Sequence, residues 1–447
     1  MKSVKVRGIN TSVKETIMVP SDKSISHRSV IFSSLAQGKT VIENFLMAED
    51  TLNTCKVFKQ LGVPISISPT EVIVNGVGLY GLKSSKDVLY VGNSGTGIRL
   101  ILGVLAAQNF DSVITGDDSI KTRPMKRIVE PLSKMGCRFF IKDNQDKWID
   151  ASHLEKVTAP VMVKKTVEIN SIEYSMPISS AQLKSSILIA GMYAKGTTIV
   201  HDPGFSRDHT EKMLLQFGAD IRVDKQTVSL NPPKELISKG RINVPADISS
   251  AAFWMVLACI LDNAEIRIKN VGINPTRTGI ITALQKMGAD ISFENEQKDS
   301  AEPIADIVAR SSKLKGIEIS GDIIPLLIDE IPILSVAAAF AEGDTIIKDA
   351  KELRVKESDR IETTIAFLRQ YGAKVQEKED GMIISGGNPL HPADTKSYYD
   401  HRIAMSSIIM ALAIKGDSCI IDVDCINTSY PNFFDMLNKV SKGVVLE

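Results

Sequence analysis

The sequence predicts an α/β protein of two domains, assembled from six copies of one small unit of helices and strands. Three observations predict it. The chain has 447 residues, enough for two domains that each bury a core of their own. An apolar helical run, a polar break usually holding glycine, and a β-branched strand recur in that order six times. Five helix ends of matching form (QLGVPI, KMGCRF, QFGADI, KMGADI, QYGAKV) place Gly62, Gly136, Gly218, Gly288 and Gly372 where a helix gives way to a strand. Glycine suits the left-handed position after a helix C-terminus. The spacing of 70 to 84 residues is too long for common solenoid repeats and fits a unit of two helices and several strands.

The copies follow one another along the chain. The first, SHRSVIFSSLAQGKTVIENF from Ser26, begins beside Ser24 and Ser26 as capping candidates, and PSDKSISHR gives it Lys23 and Arg28. The second, GIRLILGVLAAQNFDSVITG from Gly97, is preceded by VGNSGTG, where Gly92, Gly95 and Gly97 let backbone approach a ligand closely; it is not the GxGxxG dinucleotide fingerprint. TGDDSIKTRPMKR then supplies Lys121, Arg123 and Arg127 on an expected loop before another helix. The third, AQLKSSILIAGMYAKGTTIVHDPG from Ala181, starts at Ser179 and Ser180, carries Gln182 and Lys184, and is followed by FSRDHTEK with Ser206, Arg207 and His209.

The fourth copy, SSAAFWMVLACILDNAEIRIKNVG from Ser249, starts at Asp247 to Ser250. The fifth, IPILSVAAAFAEGDTIIKDA from Ile331, is expected to start on Asp329 as its cap, and LRVKESDR after it holds Arg354, Lys356, Glu357 and Arg360. The sixth, HRIAMSSIIMALAIKGDSCIIDVD from His401, starts at Asp400 and carries Arg402; SYPNFFDMLNKV stands as a weaker counterpart of the glycine-ended helices. The first helix of each copy is apolar almost all round, which predicts a helix buried inside its domain. A buried helix start leaves backbone N–H groups without intrahelical partners and carries partial positive charge, so it attracts anions.

Lys+Arg and Asp+Glu both number 53, so no global field favours nucleic acid or an anionic membrane, and any anion site is local. The five cysteines are scattered, with no CxxC or Cys/His cluster at metal-ligand spacing, as in a reduced protein with buried thiols. The N-terminal segment alternates like a strand and lacks an apolar signal region, and the longest apolar stretch, Ala251 to Leu261, is far short of a membrane span. The expected compartment is the cytoplasm, with no membrane partner.

Arginine forks grip carboxylate or phosphate through paired donors, and lysine acts on phosphate as a point charge. So many cations beside apolar helices point to two small, doubly charged anions. Asp329, Glu330, Glu357 and Asp359 lie in the same stretches; they read either as caps and ion-pair partners or as proton-transfer groups. A Gly-x-Ser-x-Gly elbow, a Walker loop and a His-Glu-x-x-His motif are all absent from the sequence.

In their order DKSxSHR, GNSGTxxR, the Arg-Pro loop at Arg123, SAQ, RVKExDR and DHRxAM, these motifs resemble the enolpyruvyl transferases over nearly the full length, in particular the branch acting on shikimate 3-phosphate. The resemblance implies an inside-out α/β barrel in each of two domains, three βαβαββ units apiece, with helices buried, sheets outside and the domains closing over substrate. It also implies that the N-terminal strand belongs with the second half, giving domains 21–244 and 1–20 plus 245–447, crossed near Pro20 and Pro245. The implied reaction moves the enolpyruvyl group of phosphoenolpyruvate to the 5-hydroxyl of shikimate 3-phosphate, through a tetrahedral adduct that eliminates phosphate. No cofactor or metal is implied, and a monomer is expected.

By motif, Lys23, Ser24, Arg28, Ser180, Ala181, Gln182, Arg207, Asp329 and Lys356 correspond to shikimate 3-phosphate contacts. Lys23, Gly95, Arg123, Gln182, Arg360 and Arg402 correspond to phosphoenolpyruvate contacts, with Lys23 bridging the ligands. Glu357 is expected to protonate C3 of phosphoenolpyruvate and Asp329 to take the hydroxyl proton, in a coupled pair. SAQLK, RDHTE and NPTR are similar to the class II form associated with tolerance of glyphosate; Gly95, where tolerant members can carry alanine, leaves tolerance open, and Thr428 stands where the other form has a lysine.

The sister transferase acting on UDP-N-acetylglucosamine typically has a cysteine shortly before the loop arginine, where this chain reads DDSIKTR. A module related to RNA 3′-phosphate cyclases fits poorly with zero net charge and no basic stripe interleaved with aromatics. A non-catalytic repeat scaffold leaves the charged motifs without a purpose.

Overall fold

The computed structural model describes residues 2–9, 11–298 and 302–441, and the backbone of 444–446. The chain divides into two compact units, one continuous, Lys23–Val244, and one split, Met1–Asp22 with Pro245–Glu447.

The five glycine signals are local and the backbone obeys them. Gly62, Gly136, Gly218, Gly288 and Gly372 have φ of +88, +99, +88, +96 and +89°. The residue after each glycine donates its N–H to the carbonyl five positions back: Val63 to Phe58, Cys137 to Leu132, Ala219 to Leu214, Ala289 to Leu284 and Ala373 to Leu368, at 2.9 to 3.1 Å. This is the six-to-one bond of a Schellman ending, repeated five times. The sixth copy was expected to lack such a glycine; the two residues that follow its helix Phe433–Ser441, where that expectation falls, lie outside the described residues.

Each copy contributes to one sheet with the same pairing: a short strand parallel to the strand after the central helix, which pairs antiparallel with the fourth, which pairs antiparallel with the third. In the third copy Glu173–Ser175 runs parallel to Thr198–His201, Thr198–His201 antiparallel to Thr227–Leu230, and that strand antiparallel to Ile221–Asp224. The chain's first strands depart from sequence order. Lys14–Ile17, which precedes the first central helix, pairs instead with Glu265–Gly272 of the fourth copy. Leu236–Ile237 and Arg241–Asn243, preceding the fourth central helix, pair with Ala36–Glu43 of the first. Ser3–Arg7 lies between Asp417–Ile421 and Val444–Leu446, completing the sixth sheet inside the split unit.

The central helices are buried as their all-round apolar sequences require. Ile25 to Leu35 of Lys23–Leu35 and all of His401–Leu412 are buried, as are Ile248 to Cys259 of Ile248–Ile260. Within the continuous unit Gly95–Leu105 packs on Ala181–Gly191. Gly103 permits that approach, since a Cβ there would lie 2.6 Å from the Ser186 carbonyl oxygen, and Ser186 Oγ donates to the Arg99 carbonyl at 2.8 Å. Truncating a core residue such as Leu188 to alanine costs about 2–5 kcal/mol. No single helix among the described residues is long and apolar enough to cross a membrane.

Candidate active site

In the continuous unit the caps form first. Ser94 Oγ accepts from Gly97 N–H at 2.9 Å, and Ser180 Oγ from Leu183 N–H at 3.4 Å. Ser24 and Ser26 lie inside the first turn of Lys23–Leu35, and Ser26 Oγ accepts from Leu46 N–H at 3.2 Å. Lys23, opening that helix, stands 3.2 Å from Asp50 Oδ2. Arg28, one turn on, is buried and donates from Nε to Thr210 Oγ1 at 2.7 Å, from Nη2 to Ser185 Oγ at 2.8 Å and from Nη1 to the Ser24 carbonyl at 3.1 Å. It ties together helices of the first and third copies.

At the start of Gly95–Leu105 two guanidinium groups converge. A Cβ on Gly95 would lie 2.7 Å from Arg123 Nη1 and 3.2 Å from Arg99 Nη1. Arg123 Nη2 donates to Asn93 Oδ1 at 2.6 Å and Ser119 Oγ at 3.0 Å. Arg99 Nη1 donates to Gln182 Oε1 at 2.7 Å, and Gln182 Nε2 to Thr96 Oγ1 at 3.0 Å. Because arginine only donates, this bond fixes the orientation of the Gln182 amide. The stretch expected as a loop before Arg123 contains the short helix Asp118–Thr122. Between the first two helix starts, His27 is buried with Nδ1 2.7 Å from Thr54 Oγ1 and Nε2 3.2 Å from Ser94 Oγ. Burial first, then Lys23 and Arg28, hold it well below the usual imidazole range.

Ala181 and Gln182 open the Ala181–Gly191 helix and are half-buried, as is Arg207. Lys184 is turned elsewhere, 3.3 Å from Asp202 and 2.7 Å from Glu211 in a buried cluster. Burial lowers its pKa, yet Glu211 and Asp202 outweigh that and raise it, so it stays charged.

The split unit gathers carboxylates around its cations. Arg360 opens its helix, 1 % exposed, with Nε 2.8 Å from Asp400 Oδ2, Nη1 3.2 Å from Asp329 Oδ1 and Nη2 2.5 Å from Glu357 Oε2. Lys356 Nζ is 3.6 Å from the same Asp329 oxygen. Burial alone would lower the Arg360 pKa; Asp400, Glu357 and Asp329 reverse this and raise it. Burial likewise pushes the Asp400 carboxyl up, and Arg360 holds it below the usual carboxylate value.

Asp329 carried two expectations, helix cap and proton-transfer group, and the structure does not make it the cap. Residue 330 occupies the N-cap of Ile331–Phe340 without a side-chain cap bond, and Asp329 instead faces Lys356 and Arg360, whose charge a cap bond to a neutral N–H could not match. Asp400 and Asp359 do cap, accepting from Arg402 N–H at 2.9 Å and from Ile361 N–H at 3.1 Å. Arg402 Nη1 donates to the Asp329 carbonyl at 2.8 Å. Thr428 Oγ1 donates to the Cys425 carbonyl at 2.7 Å. Among the described residues no group of three or more His, Cys, Asp or Glu side chains is arranged to hold a metal ion.

Sequence reasoning missed Arg99 and Arg277 as site-shaping groups, and it named Glu330 without its partners. The GNSGTxxR motif contained Arg99, the Asp-Glu doublet contained Glu330, and NPTR contained Arg277.

The sequence pattern described as EPSP synthase (3-phosphoshikimate 1-carboxyvinyltransferase) matches residues 8–437. A 3-phosphoshikimate 1-carboxyvinyltransferase of Thermoanaerobacter sp. (strain X514) is 48% identical over 428 residues, 95% of this chain and 98% of the relative. One from Petrotoga mobilis is 48% identical over 431 residues, covering 96% and 97%. The solved EPSP synthase of Acinetobacter baumannii is similar at a TM-score of 0.86 and 42% identity, with all of both chains covered. The enolpyruvyl transferase NikO of Streptomyces tendae, 16% identical with a TM-score of 0.79, shares the fold.

Proposed function

The chain belongs to the EPSP synthase family, and on that premise we propose how its own side chains divide the work of the reaction. It transfers the enolpyruvyl group of phosphoenolpyruvate to the 5-hydroxyl of shikimate 3-phosphate and releases phosphate, a step toward aromatic amino acids.

Lys23, Ser24, Arg28, Ser180, Ala181, Gln182, Arg207 and Lys356 hold shikimate 3-phosphate, and Gly95, Arg123, Gln182, Arg360 and Arg402 hold phosphoenolpyruvate, with Lys23 serving both. The observation that carries this reading is the meeting of Arg99 and Arg123 at the Gly95 helix start. Two guanidiniums at the positive end of a helix attract an anion together, and a glycine there leaves backbone N–H groups within reach.

The 5-hydroxyl oxygen attacks C2 of phosphoenolpyruvate as C3 gains a proton from Glu357 and Asp329 takes the hydroxyl proton. The tetrahedral adduct then loses a C3 proton and the C2–O bond to phosphate. Without ligand, Glu357 is paired to Arg360, which favours its ionised form. When phosphoenolpyruvate takes over that guanidinium, Glu357 shares the Arg360 charge with an arriving anion, which raises its proton affinity toward what an acid needs. Asp329 keeps Lys356, which favours the ionised form a base needs.

The enzyme acts as a cytoplasmic monomer without nucleic-acid or membrane partners in this reading. Phosphate release from phosphoenolpyruvate is expected with shikimate 3-phosphate and not with UDP-N-acetylglucosamine. Release with the second acceptor alone would reverse the reading.

A further inference from the structure

Glu330 follows the base in sequence and is fully buried. Its Oε1 accepts from the Ser249 hydroxyl and lies 3.4 Å from Arg402 Nη1, the nitrogen that also donates to the Asp329 carbonyl at 2.8 Å. Its Oε2 is buried without a hydrogen-bond partner among the described residues. Such an orphan acceptor is costly, so the carboxylate is held there by something other than its own comfort.

The cause lies one link further back. Arg277, the arginine of NPTR, is buried 2.9 Å from Asp22 and 3.2 Å from Asp247, and its Nη2 donates to Ser249 Oγ at 2.8 Å. Burial lowers the pKa of this guanidinium, but Asp22 and Asp247, with Glu330 and Asp329 behind them, raise it. Arginine has only donors, so Ser249 must accept from Arg277 and give its own proton to Glu330, whose Oε1 is left as acceptor for both Ser249 and Arg402. The direction of every bond from Arg277 to Arg402 is therefore fixed. With Nη1 of Arg402 occupied, Nε and Nη2 have no hydrogen-bond partner among the described residues; they are the adjacent pair that grips a carboxylate side-on.

We propose that Arg277, Ser249 and Glu330 form a relay that positions Arg402 for the carboxylate of phosphoenolpyruvate. The proposal rests on the reading that Arg402 holds this substrate. All three are positioning residues: they act on the ligand through Arg402, and the carbonyl bond from Asp329 to the same nitrogen registers the proton acceptor against it.

The test is steady-state kinetics with both substrates varied, on Ser249→Ala, Glu330→Gln, Glu330→Met and Arg402→Ala. Ser249→Ala removes only a hydroxyl and guards against loss of folding. The expected result is a rise of about tenfold in KM for phosphoenolpyruvate in Ser249→Ala and Glu330→Gln, more in Glu330→Met, which keeps no acceptor. KM for shikimate 3-phosphate and kcat stay within about threefold. In an Arg402→Ala background the same changes add nothing further. Equal rises for both substrates, or effects that add fully to Arg402→Ala, reduce the relay to a structural role and overturn the inference. If Arg402→Ala raises KM for phosphoenolpyruvate while Ser249→Ala and Glu330→Gln do not, the inference alone fails. An unchanged KM in Arg402→Ala overturns the reading of Arg402 and the relay with it.

Discussion

Three arginines of the continuous unit and the cations gathered near Asp329 and Glu330 in the split unit are held by different chemistry. Arg28, Arg99 and Arg123 are gripped by hydroxyls, amide oxygens and carbonyls of Thr210, Ser185, Gln182, Asn93 and Ser119. Arg360, Arg402, Arg277 and Lys356 are gripped by the carboxylates of Asp329, Glu330, Glu357, Asp400, Asp22 and Asp247. Hydroxyl and amide partners orient a guanidinium without taking up a proton themselves. Carboxylate partners answer its charge in advance, so at Arg360, whose three nitrogens are all paired, an arriving anion must displace one of them, and the displaced carboxylate changes its proton affinity. The first arrangement suits binding and the second suits proton transfer coupled to binding.

The largest effects should separate the two roles. Asp329→Asn and Glu357→Gln are expected to slow single turnovers by about 10²–10⁴ with substrate affinities little changed, read by rapid quench. Near-native rates would remove that residue from proton transfer. Next come the holding groups themselves. Arg360→Met leaves Asp329, Glu357 and Asp400 together without their shared cation and should cost about 3–5 kcal/mol in stability. Arg28→Met leaves Thr210 and Ser185, whose hydroxyls already lie 2.7 Å apart, and should cost about 1–3 kcal/mol while raising KM for shikimate 3-phosphate. Denaturant melts of the two variants compare them directly, and equal losses would erase the distinction.

How legible this was in the sequence follows from the range of each interaction. The Schellman glycines and the caps at Ser94, Ser180, Asp247 and Asp400 are set by residues within a turn of one another, and a single sequence displays them. The cations were visible as residues but their partners were not. Arg28 meets Ser185 and Thr210 across more than 150 residues, and Arg277 meets Asp22 across 255. The cap reading of Asp329 failed for the same reason: next to an apolar helix the local expectation is a cap, and its pairing with Lys356 and Arg360 lies across 27 and 31 residues. The strand exchange of Lys14–Ile17 and Leu236–Asn243 is likewise invisible to local pattern, because each strand reads the same whichever sheet accepts it.

A smaller effect sharpens what an anion site needs from its backbone. In Gly95→Ala the new methyl would stand 2.7 Å from Arg123 Nη1, so the guanidinium must swing away. KM for phosphoenolpyruvate should rise about tenfold and KM for shikimate 3-phosphate should hold, since the loss is one contact of one ligand. A matched rise in both would mean that Gly95 serves the whole helix start rather than one anion.

The smallest expected effect is in the pH dependence of stability without ligand, where the two units should fail in different windows. His27 stays neutral in the folded chain because burial, Lys23 and Arg28 depress its pKa below the ordinary 6.5. Below that value the unfolded chain binds a proton that the folded chain refuses, so stability falls as pH drops from 6.5 toward the depressed folded value, by up to about 1.4 kcal/mol per pH unit. Asp400, depressed below 3.8 by Arg360, contributes stability that persists above that pH and is lost only as pH falls beneath it. Thermal melts of the native chain and His27→Asn between pH 7.5 and 5 isolate the first term, since asparagine can still bond Thr54 or Ser94 and does not titrate. The native chain should lose stability relative to the variant as the pH falls. Parallel curves would mean that His27 takes its proton between two cations after all.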